Sequence, residues 1–388
     1  MKYSTVFGID SHARTTTICA LGTDSGETET RTFHNDYEEM SKWMARFPTP
    51  AIGVYEAGCT GYVPARRLTG EGVLVVPVAP SKMPTSDNSR KQKNDKRDAM
   101  RLARLEVAGE LEHVWVPDEG VEGLRDVSHA IEDLRKELTS ARLRVSSLLG
   151  RHGLVWDERT KTGKPEKTWG TEYRAWLSRV RLPDESSQLA LECAIRMADS
   201  VSEQLDSLLK RSREIAEASR FEPYLRAMCC LKCVNFTTAL TFVATVGDFS
   251  RIPSGRKLNS YLGFAPSESP GGETQSLGAI SRSGSGMTRK VLTECAWAVG
   301  RCNPSQMGEC PEDVDPRVWE MCVSLSQRLV WHRRRLDASM RARKRAANGD
   351  KRGYCRANSA SAAEIGRFLL FIGKKVDEVL AEGSEDAA

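Results

Sequence analysis

Two aspartates three residues apart, Asp95 and Asp98, stand in the run K-N-D-K-R-D-A, Lys93 to Ala99. If this run opens a helix, both carboxylates fall on one face, because positions i and i+3 are neighbours there. Two like charges held that close repel unless a cation sits between them. Lys93, Lys96 and Arg97 interleave with the pair, so a solvated helix start with local ion pairs is the competing reading. Further carboxylates at strand ends favour metal chemistry. Asp10 closes the β-rich run Thr5 to Asp10, and Glu56 follows the short apolar run Ala51 to Tyr55. Four acids meeting on Mg²⁺ suit two-metal phosphoryl transfer, where the ions bind both the attacking and the leaving oxygens.

The elements that must position these acids can be read on either side of them. Thr15 to Leu21 is a second β-rich run, and the short turn S-H-A-R before it predicts a hairpin. Thr28 to His34 reads as an edge-like strand, and Tyr37 to Phe47 as a helix with Met40, Trp43 and Met44 on its apolar side. Gly72 to Val78 is a buried strand, Pro80 to Asn94 a polar and basic loop, and Asp95 to Val107 a helix. Strands paired first by a hairpin and then alternating with helices predict an α/β layer fold.

Beyond it the chain turns helical. Leu124, Val127, Ile131, Leu134, Leu138, Ala141, Val145 and Leu148 alternate spacings of three and four, a heptad seam. A second long helix, Leu189 to Ala218, carries Leu191, Ile195, Ala198, Val201, Leu205, Leu208 and Ile215 on one stripe. The two can pair within one chain or across a dimer. His152 to Trp176 reads as an irregular loop or small insertion. Leu225 to Asp248 reads as two short helices, Ser260 to Ile280 as loop, and Thr288 to Val299 as helix. Arg317 to Arg345 is a long helix with a basic end, and between Arg328 and Arg356 eleven Lys and Arg face only Asp337 and Asp350. Such a block suits phosphates, as it suits a solvated helix face. Ser361 to Leu380 is a last amphipathic helix.

A chain of 388 residues has room for two or three domains, and 40% hydrophobic with 28% charged residues is ordinary for a soluble protein with a sizeable core. A net charge of +5 means that any nucleic acid must be met by clustered charge. No apolar run approaches the roughly 20 residues that cross a bilayer, and the N-terminus turns polar too soon for a signal peptide. A cytoplasmic protein without a membrane partner is expected. Of eleven cysteines only Cys229, Cys230 and Cys233 lie close in sequence, without a second C-x-x-C, which favours reduced thiols over a zinc site.

Several motifs stand in a fixed order: G-I-D-S-H, Y-E-A-G-C-T-G-Y, V-A-P-S-K and K-N-D-K-R-D-A-M-R-L-A-R-L, then V-W-V-P-D-E-G-V-E-G-L-R-D, T-A-L-T-F-V-A-T-V-G-D-F-S-R, Y-L-G-F-A-P-S-E, G-A-I-S-R-S-G and R-K-V-L-T-E-C-A-W. In this order they resemble the DEDD transposases, the insertion-sequence family that includes the Piv-type invertases and the bridge-RNA-guided recombinases. The resemblance spans roughly residues 1 to 370. It implies a RuvC-like (RNase H-like) α/β domain over 1–110, a coiled-coil helical region over 111–220, and a mainly α transposase domain over 221–388 that opens on a helix-hairpin-helix-like segment and carries the basic helix. By motif position the metal-binding acids fall on Asp10, Glu56, Asp95 and Asp98.

The resemblance further implies cutting and rejoining of DNA by a serine of the C-terminal domain, in a site completed by the acids of a partner subunit of a dimer or tetramer. A structured noncoding (bridge) RNA would choose the sequence. Family members commonly carry two serines where this chain has Pro270 and Gly271, so Ser269 is the expected nucleophile after a local shift, with Ser267 second and Ser276, Ser281, Ser283 and Ser285 behind. The alternatives are a catalytically altered nucleic-acid-binding relative and a metal-dependent, structure-selective nuclease. Nucleic-acid backbones are expected on Lys82, Arg90, Lys91 and Lys93, and on Arg333, Arg334, Arg335, Arg341, Arg343, Lys344 and Arg345.

Overall fold

The computed structural model describes residues 3–70, 72–84, 94–159, 162–163, 167–269, 276–303, 307–346 and 352–385. The chain divides into two compact units, Met1–Asp118 and Glu119–Ala388.

The first unit is built on a mixed sheet of five strands: β1 (Thr5–Ser11), β2 (Thr16–Gly22), β3 (Thr28–Phe33), β4 (Ala51–Glu56) and β5 (Val73–Val78). Their order is β3-β2-β1-β4-β5. β1, β2 and β3 are joined antiparallel by short turns, while β4 and β5 run parallel to β1. Alternation sorts the side chains onto two faces. Phe7, Ile9, Ile18, Tyr55 and Val75 face α1 (Tyr37–Met44) and α2 (Val63–Leu68), whose Met40, Trp43, Met44, Ala65 and Leu68 complete one core. Val6, Ile52, Val54 and Val78 face α3 (Asp95–Val107) through Leu102 and Ala103. Asp36 caps α1 by accepting from the amides of Glu38 and Glu39, and Asn94 caps α3 through the Lys96 amide.

Among the described residues the second unit is helical apart from one hairpin. Helix α4 (Glu119–Arg151) pairs with α6 (Glu185–Glu217); Leu124, Ile131, Leu138, Ala141, Val145 and Leu148 of α4 are buried, as are Leu191, Ala198 and Leu205 of α6, and Val145, Leu148 and Leu191 share one core. The heptad seam is therefore filled from within the chain, the first of the two pairings that the stripe allows. The described residues of the stretch between these helices include a small insertion. It forms α5 (Thr171–Arg179), and Trp156, Trp169, Tyr173 and Trp176 pack with Leu148, Leu149 and Leu191 into a small core.

The rest comprises α7 (Glu222–Cys229), α8 (Phe236–Val246), α9 (Gly255–Tyr261), α10 (Gly286–Val299), α11 (Pro316–Ala346) and α12 (Arg352–Glu385). Helix α8 is buried on nearly every side, threonines included, because α4, α7 and α10 enclose it. Between α9 and α10 the segment expected as loop contains an antiparallel hairpin of β6 (Pro266–Ser269) and β7 (Ser276–Ile280).

Candidate functional site: an acidic cluster at the sheet edge

Asp10 lies near the end of β1, one residue past the rung where Ile9 faces Tyr55 of β4. Glu56 ends β4 at the equivalent place. Register partners in a parallel pair share a face, and adjacent strands lie about 4.8 Å apart. Asp10 follows Val6 and Gly8 on the α3 face, and Glu56 follows Ile52 and Val54 there.

Gly8 brings the second pair of acids to the same edge. Helix α3 presses so closely on β1 that a Cβ at Gly8 would stand 1.8 Å from the Ala99 carbonyl oxygen. Asp95 is one turn upstream of Ala99 and Asp98 directly precedes it, so the start of α3 lies over the end of β1. Tyr55 steadies the neighbouring loop by donating to the Gly61 carbonyl at 3.0 Å. Its burial pushes that hydroxyl up to about 12, so it stays a neutral donor.

Of the four expected acids, Asp10 and Asp95 meet, with His12 between them. Ligand atoms of the three lie within 4.8 Å of one another. The His12 Nε2 is 3.2 Å from an Asp10 oxygen and 3.7 Å from an Asp95 oxygen. Among the described residues no other set of histidines, cysteines and carboxylates gathers this way, the Cys229–Cys233 cluster included. Glu56, exposed, and Asp98, half-buried, flank the triple without joining it. Carboxylate oxygens from a strand end and a helix start suit a hard divalent cation, whereas imidazole suits softer ones. An imidazole set between two carboxylates offers them a hydrogen-bond donor that offsets their repulsion. The sequence does not single out His12, although it stands in G-I-D-S-H: a lone histidine has no partner spacing to betray it.

The serine candidates lie in the second unit. Ser269 ends β6 opposite Ser276 of β7, so their backbones stand where the two strands of the hairpin part. The Ser267 hydroxyl donates to the Ala279 carbonyl at 3.0 Å, and Ser285 caps α10 by accepting from the Thr288 amide. Ser281 and Ser283 are exposed and bond each other at 3.0 Å. Their turn is knitted to Y-L-G-F: Gly263, at φ +74°, leaves no room for a Cβ against the Ser283 carbonyl, and Arg289 donates to the Leu262 carbonyl at 2.8 Å.

The basic residues divide. Arg333 is 3% exposed, donating to Asp337, the Ala296 carbonyl and Asn358, so it braces the helices and does not face a phosphate. The expectation for Arg333 is corrected on that ground. Arg334 and Arg335 are exposed, the latter over the Trp331 ring. Lys82 pairs with Glu112 at the surface. Arg90, Lys91 and Lys93 lie outside the described residues, as do the side chains of Arg341, Arg343, Lys344 and Arg345.

Residues 7–153 match a DEDD transposase family of the IS110 type, and residues 226–309 match the transposase IS116/IS110/IS902 family. A putative transposase of Sinorhizobium fredii is 34% identical over 71% of this chain and 66% of its own length. The transposase for insertion sequence element IS1533 of Leptospira borgpetersenii is 29% identical over 67% of this chain and 75% of its own length. A probable family 20 transposase of Pseudomonas aeruginosa is 23% identical over 65% and 72%. The chain thus spans just under two thirds of the Sinorhizobium relative, at 66%.

Proposed function

We propose that the chain, whose residues 7–153 and 226–309 match IS110-type transposase families, cuts and rejoins DNA as the transposase of an insertion sequence. The observation that carries the reading is the meeting of Asp10, His12 and Asp95 at the sheet edge, with Glu56 and Asp98 beside them. The strand order β3-β2-β1-β4-β5, with helices on both faces, supports a RuvC-like domain.

Asp10, Asp95, Asp98 and Glu56 would hold Mg²⁺, which supplies charge to the phosphoryl oxygens when bound. The chain's own residues do the positioning: β1 and β4 fix two carboxylates on one face, and α3 brings two more over it. Ser269 is the nucleophile of this reading. Its hydroxyl oxygen would bond to phosphorus as the phosphorus–oxygen bond to the leaving strand breaks, and the later reverse step rejoins DNA with no net loss of ester bonds. The sequence after Ser269 carries Gly271 and Gly272, the residue type that lets a backbone approach a phosphate. A structured noncoding RNA would supply sequence choice, and a dimer or tetramer would bring one subunit's serine to another's acids. Arg334 and Arg335 are the exposed cations offered to either backbone.

The test is strand cleavage of DNA carrying the element's ends, with its flanking noncoding RNA and Mg²⁺, followed by trapping of protein–DNA adducts. An adduct supports this reading. Hydrolysis without one supports a nuclease, and binding without cleavage supports a catalytically altered relative.

A further inference from the structure

The turn between α7 and α8 carries Cys233, and the turn that ends α10 carries Cys302. Their sulfur atoms are 2.7 Å apart. That is nearer than the roughly 3.5 Å at which unbonded heavy atoms rest. Both residues are half-buried, and both are free thiols. Cys233 has φ +72°, a region that a side-chain-bearing residue occupies only when its surroundings hold it there. The surroundings are on hand. The Val234 amide donates to the Leu231 carbonyl at 3.0 Å, the Lys232 amide donates to the Ser326 hydroxyl at 3.0 Å, and Asn235 caps α8. On the other side the Cys302 amide donates to the Val299 carbonyl at 3.1 Å. Two rigid turns thus aim their sulfurs at each other.

Access is also provided. Cys233 lines a cavity of about 590 Å³ together with Cys229, Cys230, Phe236 and Met307. A space of that size admits a small organic molecule.

We propose that Cys233 and Cys302 form a redox-modification site, a dithiol that a low-molecular-weight disulfide converts into an intrachain bond. One protein thiolate attacks a sulfur of the small disulfide, forming a mixed disulfide and expelling one small thiolate. The second protein thiolate then displaces the other half. The two protein sulfurs are oxidised, the two small sulfurs are reduced, and the two protons end on the released small thiols. Burial first, and then the neighbouring Cys302 sulfur, raise the Cys233 thiol above its ordinary range. The bond would tie together residues 69 apart in sequence and close a loop carrying α8, α9, the β6–β7 hairpin and α10. Such a closure restricts the chain between its ends. Every serine candidate lies within that loop, so the bond would brace the segment that holds them. The site itself rests on no assumption about DNA chemistry.

The experiment treats the folded, full-length chain with oxidised glutathione, blocks the remaining thiols, and maps unreduced peptides by mass. The expected result is a fall from eleven blockable thiols to nine and a peptide pair joined through Cys233 and Cys302. In Cys302→Ser the joined pair should vanish and glutathione should remain on Cys233, while Cys295→Ser should still form the bond. Eleven thiols retained in the wild type would overturn the proposal. So would glutathione left singly on Cys233 of the wild type, or a bond that joins Cys230 to Cys310 instead. The wild-type map decides the question even if a variant fails to fold, and DNA cleavage plays no part in it.

Discussion

A Cβ added at Gly8 would stand 1.8 Å from the carbonyl oxygen of Ala99 and 2.6 Å from the Ala103 amide nitrogen. Both obstacles are backbone, so no side-chain rotation relieves them. The glycine of G-I-D sets how near α3 comes to β1, and with it how near Asp95 comes to Asp10. Gly8→Ala should push α3 outward and cost about 3 kcal/mol or more, at or beyond the upper end of overpacking. Strand cleavage should fall with it. Unchanged thermal stability together with unchanged cleavage would show that the close approach does not set the site.

The acids predict a second pair of outcomes. Asp10→Asn and Asp98→Asn keep shape and remove charge, so DNA binding should survive while cleavage falls by roughly 10²–10³, as when a preorganised electrostatic partner is lost. Mg²⁺ at about one hundred times its dissociation constant should stabilise the wild type by about 2.7 kcal/mol, seen as a raised melting temperature. That shift should shrink in Asp10→Asn. Wild-type cleavage in either variant would remove that residue from the site.

The acids are legible in sequence for a physical reason. Asp10 and Glu56 each end an apolar run, and a charged residue at a strand end is visible in a linear chain. The closeness of β1 and α3 is not, since Gly8 alone does not say what approaches it. His12 escapes a sequence reading because its two partners are distant in spacing or uninformative in type. The β6–β7 hairpin reads as loop because Gly, Ser and Pro speak for turns, and Pro266–Ser269 is too short to show alternation. The seam of α4 is legible as a stripe, but a stripe does not name its partner, and α6 supplies it within the chain.

That partner leads to a third prediction. Val145 of α4 is 0% exposed and shares a core with Leu191 of α6. Val145→Glu should cost about 3 kcal/mol by stranding a charge in an apolar seam. The loss should appear as a lower melting temperature at every protein concentration. A variant that keeps its melting temperature and only changes its mass in light scattering would restore the dimer reading.

The arginines of α11 separate by role. Arg333→Ala should cost roughly 3 kcal/mol because it leaves polar partners of a buried guanidinium unmet. Its nucleic-acid affinity should keep the wild-type salt dependence. Arg334→Ala and Arg335→Ala should leave the melting temperature nearly unchanged and flatten the slope of log affinity against log salt by about 0.7–0.9 for each phosphate no longer neutralised. A flattened slope in Arg333→Ala would place that guanidinium on the nucleic acid after all. Sequence-selective loss in Arg334→Ala or Arg335→Ala would make those residues base readers.

The nucleophile decides between the competing chemistries. Ser267 is bonded to the Ala279 carbonyl, and Ser285 is engaged as the cap of α10, so neither is free to leave without loosening the structure around it. Ser269 ends its strand, and the sequence after it carries Gly271 and Gly272. Ser269→Ala should abolish the trapped protein–DNA adduct while DNA binding and melting temperature stay at wild-type values. Ser267→Ala, by contrast, should lower stability by about 1 kcal/mol through the lost hydrogen bond and retain the adduct. Ser281→Ala and Ser283→Ala test the exposed S-R-S turn in the same assay. An undiminished adduct in Ser269→Ala, with loss in Ser281→Ala or Ser283→Ala, would move the nucleophile from the hairpin to the turn that precedes α10.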